Sequence, residues 1–151
     1  MDKEALSEDD KSELLKLFMV TGNPLIRDHI AMVFADIRYD KAVRYILRKI
    51  NDKKLYGNNG TLVAALGDLN ASRYYNEFAK IICTQDYEAR LWALGLIEDF
   101  GRVASKNLKQ KALKTLTSCK SSLGTALEGA YKNSRLHFID EAIALIDKFL
   151  R

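Results

Sequence analysis

The fold is decided by residues 23–50, which read NPLIRDHIAMVFADIRYDKAVRYILRKI. Asn23 followed by Pro24 is the expected start of a helix, because asparagine caps free amides and proline at the first helical position loses no hydrogen bond. Apolar residues then recur at three- and four-residue steps, which is the period of a helix and not of a strand. They are Ile26, Ile30, Val33, Phe34 and Ile37.

A second helical pattern begins at Asp40, and only Arg38 and Tyr39 separate it from the first one. One stripe of this pattern is apolar and comprises Ala42, Val43, Ile46, Leu47 and Ile50. The opposite stripe carries Lys41, Arg44 and Arg48, which are expected to face water. Because the connection is so short, the two helices are predicted to form an antiparallel hairpin.

Turn and capping residues also divide the rest of the chain into helical pairs. The sequence Gly57-Asn58-Asn59-Gly60 predicts a turn, since glycine and asparagine tolerate positive φ. Further helices are predicted at about 62–69, 75–82, 87–100, 104–118, 122–132 and 134–150, and an extra helix at about 8–20 precedes the first pair, with Ser7 as its cap. No segment shows a convincing strand pattern, so the predicted class is all-α.

The helical pairs follow a repeating template. At a shift of 32 residues Ala35-Asp36-Ile37 falls on Gly67-Asp68-Leu69, and a further shift of 31 brings Glu98-Asp99-Phe100 to the same place. A period of about thirty residues with two helices per unit is typical of a stacked α-solenoid. We therefore predict a single domain over 1–151, an α-solenoid of about four stacked helical hairpins with the helix at 8–20 as an N-terminal cap.

Several residues of the first pair match a known helical repeat. They are Asn23-Pro24-Leu25-Ile26-Arg27, Ala31, Ala35-Asp36-Ile37, Asp40-Lys41-Ala42-Val43, Ile46-Leu47 and Ile50-Asn51-Asp52. This set resembles a HEAT-type repeat, in the short variety found in the bilin-lyase-like group of HEAT proteins. Such repeats specify helix packing and carry no chemistry, so the resemblance implies a binding scaffold. The alternative is an irregular helical bundle whose spacing is coincidental.

Composition places the chain among globular proteins. Of its 151 residues 48% are apolar and 29% are charged, and charges interrupt every long apolar stretch. No segment is apolar enough to span a membrane, and the acidic start at Met1-Asp2-Lys3-Glu4-Ala5 lacks the pattern of a secretory signal. The predicted location is the cytoplasm, with no membrane partner.

The residues that commonly carry catalysis show no affirmative pattern. His29 and His137 lack a metal-binding motif, and the three-residue spacing of His137 and Asp140 suits a base and its orienter but is common by chance. Cys83 and Cys119 are 36 residues apart, without zinc-ligand spacing, and are expected to be reduced and buried. We predict a protein that is not an enzyme and holds no cofactor or metal.

Positive charge is concentrated in the runs 38–54 and 102–120. In a solenoid the second helices of successive pairs line one surface, so the cations of these helices are predicted to form a basic partner-binding strip. Its members are Lys41, Arg44, Arg48, Arg73, Lys80, Lys106, Lys111 and Lys114. Tyr39, Tyr74 and Tyr87 fall at hairpin corners, where exposure is expected and tyrosine favours interfaces, and Tyr39 and Tyr74 are added to the predicted contact residues. Trp92 is a further aromatic of the kind that favours interfaces, but it lies on a packed-looking helix and is open to a core interpretation.

The leading functional hypothesis is a non-catalytic protein-binding module. A small, free-standing solenoid resembles the compact helical immunity proteins that neutralise contact-dependent bacterial toxins by masking their active sites. Nuclease toxins tend to be basic, so the contact would need the acidic segment 1–20 or the carboxylates at the corners, Asp36, Asp68, Glu98 and Asp99. The runner-up is a HEAT-like nucleic-acid-binding protein that uses a basic concave face. A lyase or scaffold for a chromophore protein, with Cys83 as its reactive residue, is the third.

Overall fold

A computed structural model describes residues 6–123 and 134–151, and over these ranges the chain forms helices and no strand. The helices are α1 (Glu8–Val20), α2 (Pro24–Asp36), α3 (Val43–Ile50), α4 (Gly60–Ala65), α5 (Tyr75–Thr84), α6 (Tyr87–Phe100), α7 (Lys106–Leu123) and α8 (Arg135–Leu150). The all-α prediction is therefore confirmed. The helix predicted at 122–132 lies outside the described residues except for its first two positions, which belong to α7.

The predicted helix starts are confirmed by their capping hydrogen bonds. The Ser7 hydroxyl accepts from the Asp10 amide at 3.1 Å, and the Asp10 carboxylate accepts from the Ser7 amide at 3.3 Å, which completes a capping box at α1. The Asn23 side chain accepts from the Leu25 amide at 2.9 Å at the start of α2. These bonds satisfy amides that have no partner inside their own helix.

Contacts divide the chain into two compact units, one ending at Asn70 and the other beginning at Ala71. In the first unit α2 packs against α1 and α4, and α3 contacts α4. The Phe18 and Phe34 rings meet edge to face at 5.9 Å, and Ile46 is fully buried. The prediction of one domain over 1–151 stays a prediction.

A Schellman motif forms the corner between α2 and α3. The Tyr39 amide donates to the Phe34 carbonyl at 2.9 Å, and the Arg38 amide donates to the Ala35 carbonyl at 3.2 Å. Arg38 adopts a φ of 54°, the left-handed conformation that this motif requires. The Tyr39 ring packs at 5.4 Å from the Phe34 ring, which is the apolar contact that accompanies the motif. The corner therefore uses Tyr39 for packing.

In the second unit α5 packs against α6, α7 and α8. Tyr75 is fully buried, and its hydroxyl donates to the Ile97 carbonyl at 2.7 Å. This burial raises the pKa of the Tyr75 phenol well above its usual range. The Phe78 and Phe100 rings stack at 5.7 Å. Helices of both units thus bury one apolar side and pack on their neighbours, as amphipathic patterns predict.

Candidate partner-binding surfaces

The cations predicted for the first unit lie on the water-facing side of α3 and the turn before it. Lys41, Arg44 and Arg48 are all exposed. The Cζ atoms of Arg44 and Arg48 lie 4.9 and 5.1 Å from the centre of the Tyr45 ring, and Arg44 also donates to the Tyr45 hydroxyl at 3.0 Å. Two guanidinium groups on one ring form a local concentration of positive charge.

The second unit contains the other predicted cations. Arg73 repeats the arrangement of Arg44, with its Cζ 4.9 Å from the centre of the Tyr74 ring and a 2.9 Å hydrogen bond to the Tyr74 hydroxyl. Lys80 is exposed and pairs with Glu77 at 3.1 Å, so part of its charge is neutralised.

The lysines of α7 that were predicted for the strip, Lys106, Lys111 and Lys114, are exposed, as is Lys120 near the end of the same helix. Another lysine of this helix, Lys109, is buried instead and donates to the Gly101 carbonyl at 2.9 Å. The continuous strip was predicted to take residues from both units, and it stays a prediction.

Of the three corner tyrosines that were expected at exposed positions, Tyr87 is exposed, but Tyr39 and Tyr74 are half-buried. The Tyr39 ring packs on Phe34 in the Schellman motif. The Lys11 Nζ atom lies 5.9 Å from the centre of the Tyr39 ring. The hydroxyl of Tyr74 is occupied by Arg73. Local packing therefore accounts for both rings without a partner.

A further surface lies on α6, of which the sequence predicted the exposure of Tyr87 and the corner carboxylates Glu98 and Asp99 but not that of Leu91. Tyr87, Leu91 and Trp92 are 47%, 47% and 48% exposed, whereas Arg90 is 7% exposed and lies 5.5 Å from the Phe138 ring centre. The core interpretation of Trp92 is therefore wrong. Apolar residues at 91, 93, 94, 96 and 97 cover most of the helix circumference, so periodicity does not reveal which of them face water.

Acidic side chains border this apolar area. Glu88, Glu98 and Asp99 are exposed. Residues four apart share one side of a helix, which places Glu88 beside Trp92 and Asp99 one turn beyond Gly95. We name the exposed residues Tyr87, Glu88, Leu91, Trp92, Glu98 and Asp99 the α6 face. It is a half-exposed apolar area with an acidic border.

The first unit has an apolar groove along α1. Its volume is about 610 Å³, and its lining comprises Leu6, Asp10, Glu13, Leu14, Leu17 and Val33. Leu17 is 45% exposed, and Glu13 pairs with the exposed Lys16 at 3.1 Å. This groove combines apolar and acidic side chains, as the α6 face does.

The residues considered for catalysis are placed as follows. His29 is exposed, and the Asp140 carboxylate pairs with Lys120 at 2.8 Å. Cys83 is half-buried, and burial together with the neighbouring Cys119 thiol raises the pKa of Cys83 well above its ordinary value. A raised pKa keeps this thiol protonated and unreactive at neutral pH. Within the described parts of the chain no three His, Cys, Asp or Glu side chains are grouped as a metal site requires.

Comparison with protein-family models, curated proteins and solved structures finds no match to this chain. Among the described helices, none has the length and apolar character needed to cross a membrane.

Proposed function

We propose that this chain is a non-catalytic protein-binding module and that the α6 face is its main contact surface. The observation that carries the proposal is the exposure of Leu91 and Trp92 on a helix that buries Arg90. Burying a cation while two large apolar side chains stay in water is the reverse of ordinary packing. Exposed tryptophan is typical of residues that dominate protein interfaces.

The border of the α6 face indicates the chemistry of the partner. Glu88, Glu98 and Asp99 are exposed beside the apolar residues, so a partner with a basic, partly apolar surface would be complementary. The chain as a whole has a net charge of +4, but complementarity depends on the charge at the contact.

Within this proposal, the most specific function is that of an immunity protein for a bacterial contact-dependent toxin. Covering the cationic substrate-binding surface of a toxic enzyme inhibits it sterically, so the inhibitor needs no catalytic residues. Such an inhibitor would act in the cytoplasm, where the imported toxin acts.

The test is to capture partners from the source cell with the intact chain, include the product of the adjacent gene, and measure affinity for the protein recovered. Trp92→Ala is expected to weaken binding by at least about 30-fold, since a hot-spot residue contributes roughly 2 kcal/mol or more. Leu25→Ala is the matched control, because Leu25 is an apolar residue of the first unit and is 72% exposed. Equal losses for both variants, or no loss for Trp92→Ala, would contradict the proposal.

The alternative function is nucleic-acid binding through the basic helices. It is favoured by Arg44 and Arg48, which share the Tyr45 ring and make no ion pair with a carboxylate among the described residues. Phosphate contacts make affinity fall steeply with salt, whereas an apolar interface changes much less. Charge reversal by Arg44→Glu with Lys111→Glu is expected to abolish nucleic-acid binding and to leave binding through the α6 face intact.

We also infer that the helical pairs are HEAT-like and stack as a solenoid. Contacts between equivalent helices of consecutive pairs support the solenoid arrangement, because α2 packs on α4 and α5 packs on α7. An experimental structure tests it, because consecutive pairs of a solenoid superpose by one nearly constant rotation. Unrelated rotations would indicate an irregular bundle.

A further inference from the structure

The apolar groove along α1 is part of a longer exposed apolar surface in the first unit. Leu14 and Leu17 line the groove on α1, and Val20 follows Leu17 by about one helical turn and is 79% exposed. Val33 lines the groove on α2, and Ile26, which is 41% exposed, lies about two helical turns before Val33 on the same side of that helix. Adjoining apolar side chains at a surface are typical of contact sites, because a partner that covers them removes them from water.

Acidic side chains lie at the end of the groove where α1 begins. Asp10 and Glu13 line the groove, and Asp9 is exposed beside them. Glu13 pairs with Lys16, but both side chains are at least 70% exposed, so water screens this pair and it neutralises little charge. Helix α1 as a whole has four acidic and two basic residues. The groove is therefore negatively charged, although the whole chain has a net charge of +4.

The dimensions and walls of the groove suit a helix. From Asp10 to Val20 helix α1 advances by roughly 15 Å, which is the length of about three turns of a bound helix. The groove walls on α1 and α2 are side chains, and the backbone amides of these helices are bonded within them. An extended segment would therefore find no partners for its own amides, whereas a helix satisfies its backbone hydrogen bonds internally.

The negative charge of the groove decides between possible occupants. A second copy of this chain would bring either its own groove or its α6 face, and both are acidic, so they would repel Asp10 and Glu13. The basic helices α3 and α7 have no exposed large apolar side chain to place in the groove. An anionic membrane surface is repelled as well. A helix that has cations beside an apolar stripe complements both the charge and the apolar surface.

From these contacts we propose that the groove along α1 binds an amphipathic helix of another protein, with lysine or arginine residues beside its apolar stripe. Apolar side chains of the bound helix, at three- and four-residue spacing, contact Leu14, Leu17 and Val33, and its cations lie near Asp10 and Glu13. None of these residues belongs to the α6 face, so this site is independent of the function proposed above.

The experiment measures the affinity of the full chain for three labelled synthetic peptides of about 18 residues, a length that allows an isolated helix. One peptide has a leucine stripe with lysines beside it, and the second has glutamates in place of the lysines. The third has the composition of the first, with its leucines distributed around the helix. Fluorescence anisotropy should show saturable binding of the lysine peptide that is at least about tenfold tighter than that of either other peptide. Failure of the lysine peptide to saturate, or equal binding of either other peptide, overturns the proposal.

Matched variants locate the binding on the groove. Leu17→Lys places a cation among the apolar side chains and should weaken binding of the lysine peptide at least about tenfold. Leu25→Lys is its control, because Leu25 is 72% exposed on α2 and does not line the groove, and the affinity should stay within about twofold. Equal losses for the two variants would place the peptide elsewhere.

A second pair of variants tests the charge. Glu13→Lys should weaken binding at least about threefold at low salt. Glu141→Lys makes the same change in net charge at an exposed position of α8 and should leave the affinity within about twofold. If both variants bind the lysine peptide equally well, the carboxylates of the groove do not select the partner and the proposal is wrong.

Two further measurements exclude the other occupants. The α6 face is also apolar with an acidic border, so a loss in Trp92→Ala that matches the loss in Leu17→Lys would place the lysine peptide there and overturn the groove site. Sedimentation velocity of the chain alone should show no dimer that depends on Leu17. A dimer that Leu17→Lys dissociates and Leu25→Lys does not would assign the groove to a second copy and also overturn the proposal.

Discussion

Helices α3 and α6 differ in which kinds of side chain they bury and which they expose. In α3 the apolar residues Ile46 and Ile50 are fully buried, and the cations Arg44 and Arg48 face water. In α6 the cation Arg90 is buried, while Leu91 and Trp92 are about half exposed at 47% and 48%. Both helices have a continuous buried side, so packing alone does not require the exposure seen on α6.

The difference indicates which of the two surfaces is specialised. An exposed cation on an amphipathic helix is ordinary, since charged residues are mostly found at protein surfaces. A group of large apolar side chains at the surface is the informative exception, because it costs free energy until a partner covers it. The α3 pattern therefore explains stability, and the α6 pattern supports the contact surface proposed above.

The largest expected effect separates a buried apolar residue of α3 from an exposed one of α6. Ile46→Ala removes a fully buried side chain and should lower the free energy of unfolding by about 2–5 kcal/mol. Leu91→Ala, at a position 47% exposed, should lower it by less than about 1 kcal/mol. Urea denaturation followed by circular dichroism measures both values. Similar losses for the two variants would mean that the α6 face is part of the core.

An intermediate effect compares two glycines at and near the end of α6. A Cβ atom on Gly101 would overlap the Phe149 ring, so Gly101→Ala should cost roughly 1–3 kcal/mol of stability. A Cβ atom on Gly95, inside the helix, meets nothing within 4 Å, so Gly95→Ala should raise stability by up to about 1 kcal/mol. Thermal denaturation of both variants gives the sign. A loss at Gly95 would show that the α6 face is covered there.

The smallest effect is an alkaline loss of stability that arises from the second unit. Burial raises the pKa values of Cys83 and Tyr75 in the folded chain, whereas the unfolded groups ionise near about 8.5 and 10. The folded state therefore retains protons that the unfolded state releases, and stability falls as pH rises above about 8.5. Melting temperatures between pH 7 and 11 should decline.

Two variants test whether the decline in melting temperature arises from Cys83 and Tyr75. Cys83→Ala should flatten the part between about pH 8.5 and 10, and Tyr75→Phe the part above about pH 10. Tyr75→Phe also leaves the Ile97 carbonyl without its hydrogen bond, so its stability at neutral pH should be lower. A decline that is unchanged in both variants would place its origin outside these residues.

Much of the secondary structure could be predicted because its causes are local. Ser7 and Asn23 accept hydrogen bonds from amides two or three residues away, and the apolar stripe of α3 follows from spacing within a single helix. The predictions that failed concern residues whose surroundings come from elsewhere in the chain. The Trp92 side chain lies on a helix that is apolar around most of its circumference, so its exposure depends on which sides α5 and α8 cover.

Of the candidate surfaces, the exposure of the α3 and α7 cations and of Tyr87 was predicted, whereas the exposure of Leu91 and the burial of Arg27 were not. Arg27 appeared in the sequence as one residue of a repeat motif, and its burial depends on Asn58, which is 31 residues away. The contact of Cys83 with Cys119 likewise joins residues of α5 and α7. No periodicity reports such pairs.

The sequence by itself determined the all-helical class, the capped helix starts and the side of α3 that faces water. These depend on hydrogen bonds and side-chain neighbours within one or two helical turns, so the local residue order contains the information. Only the tertiary structure decided that Arg27, Arg90 and Lys109 are buried and that Leu91 and Trp92 are exposed. Burial depends on which segments pack together, and that is settled by the combined free energy of contacts between residues far apart in the chain.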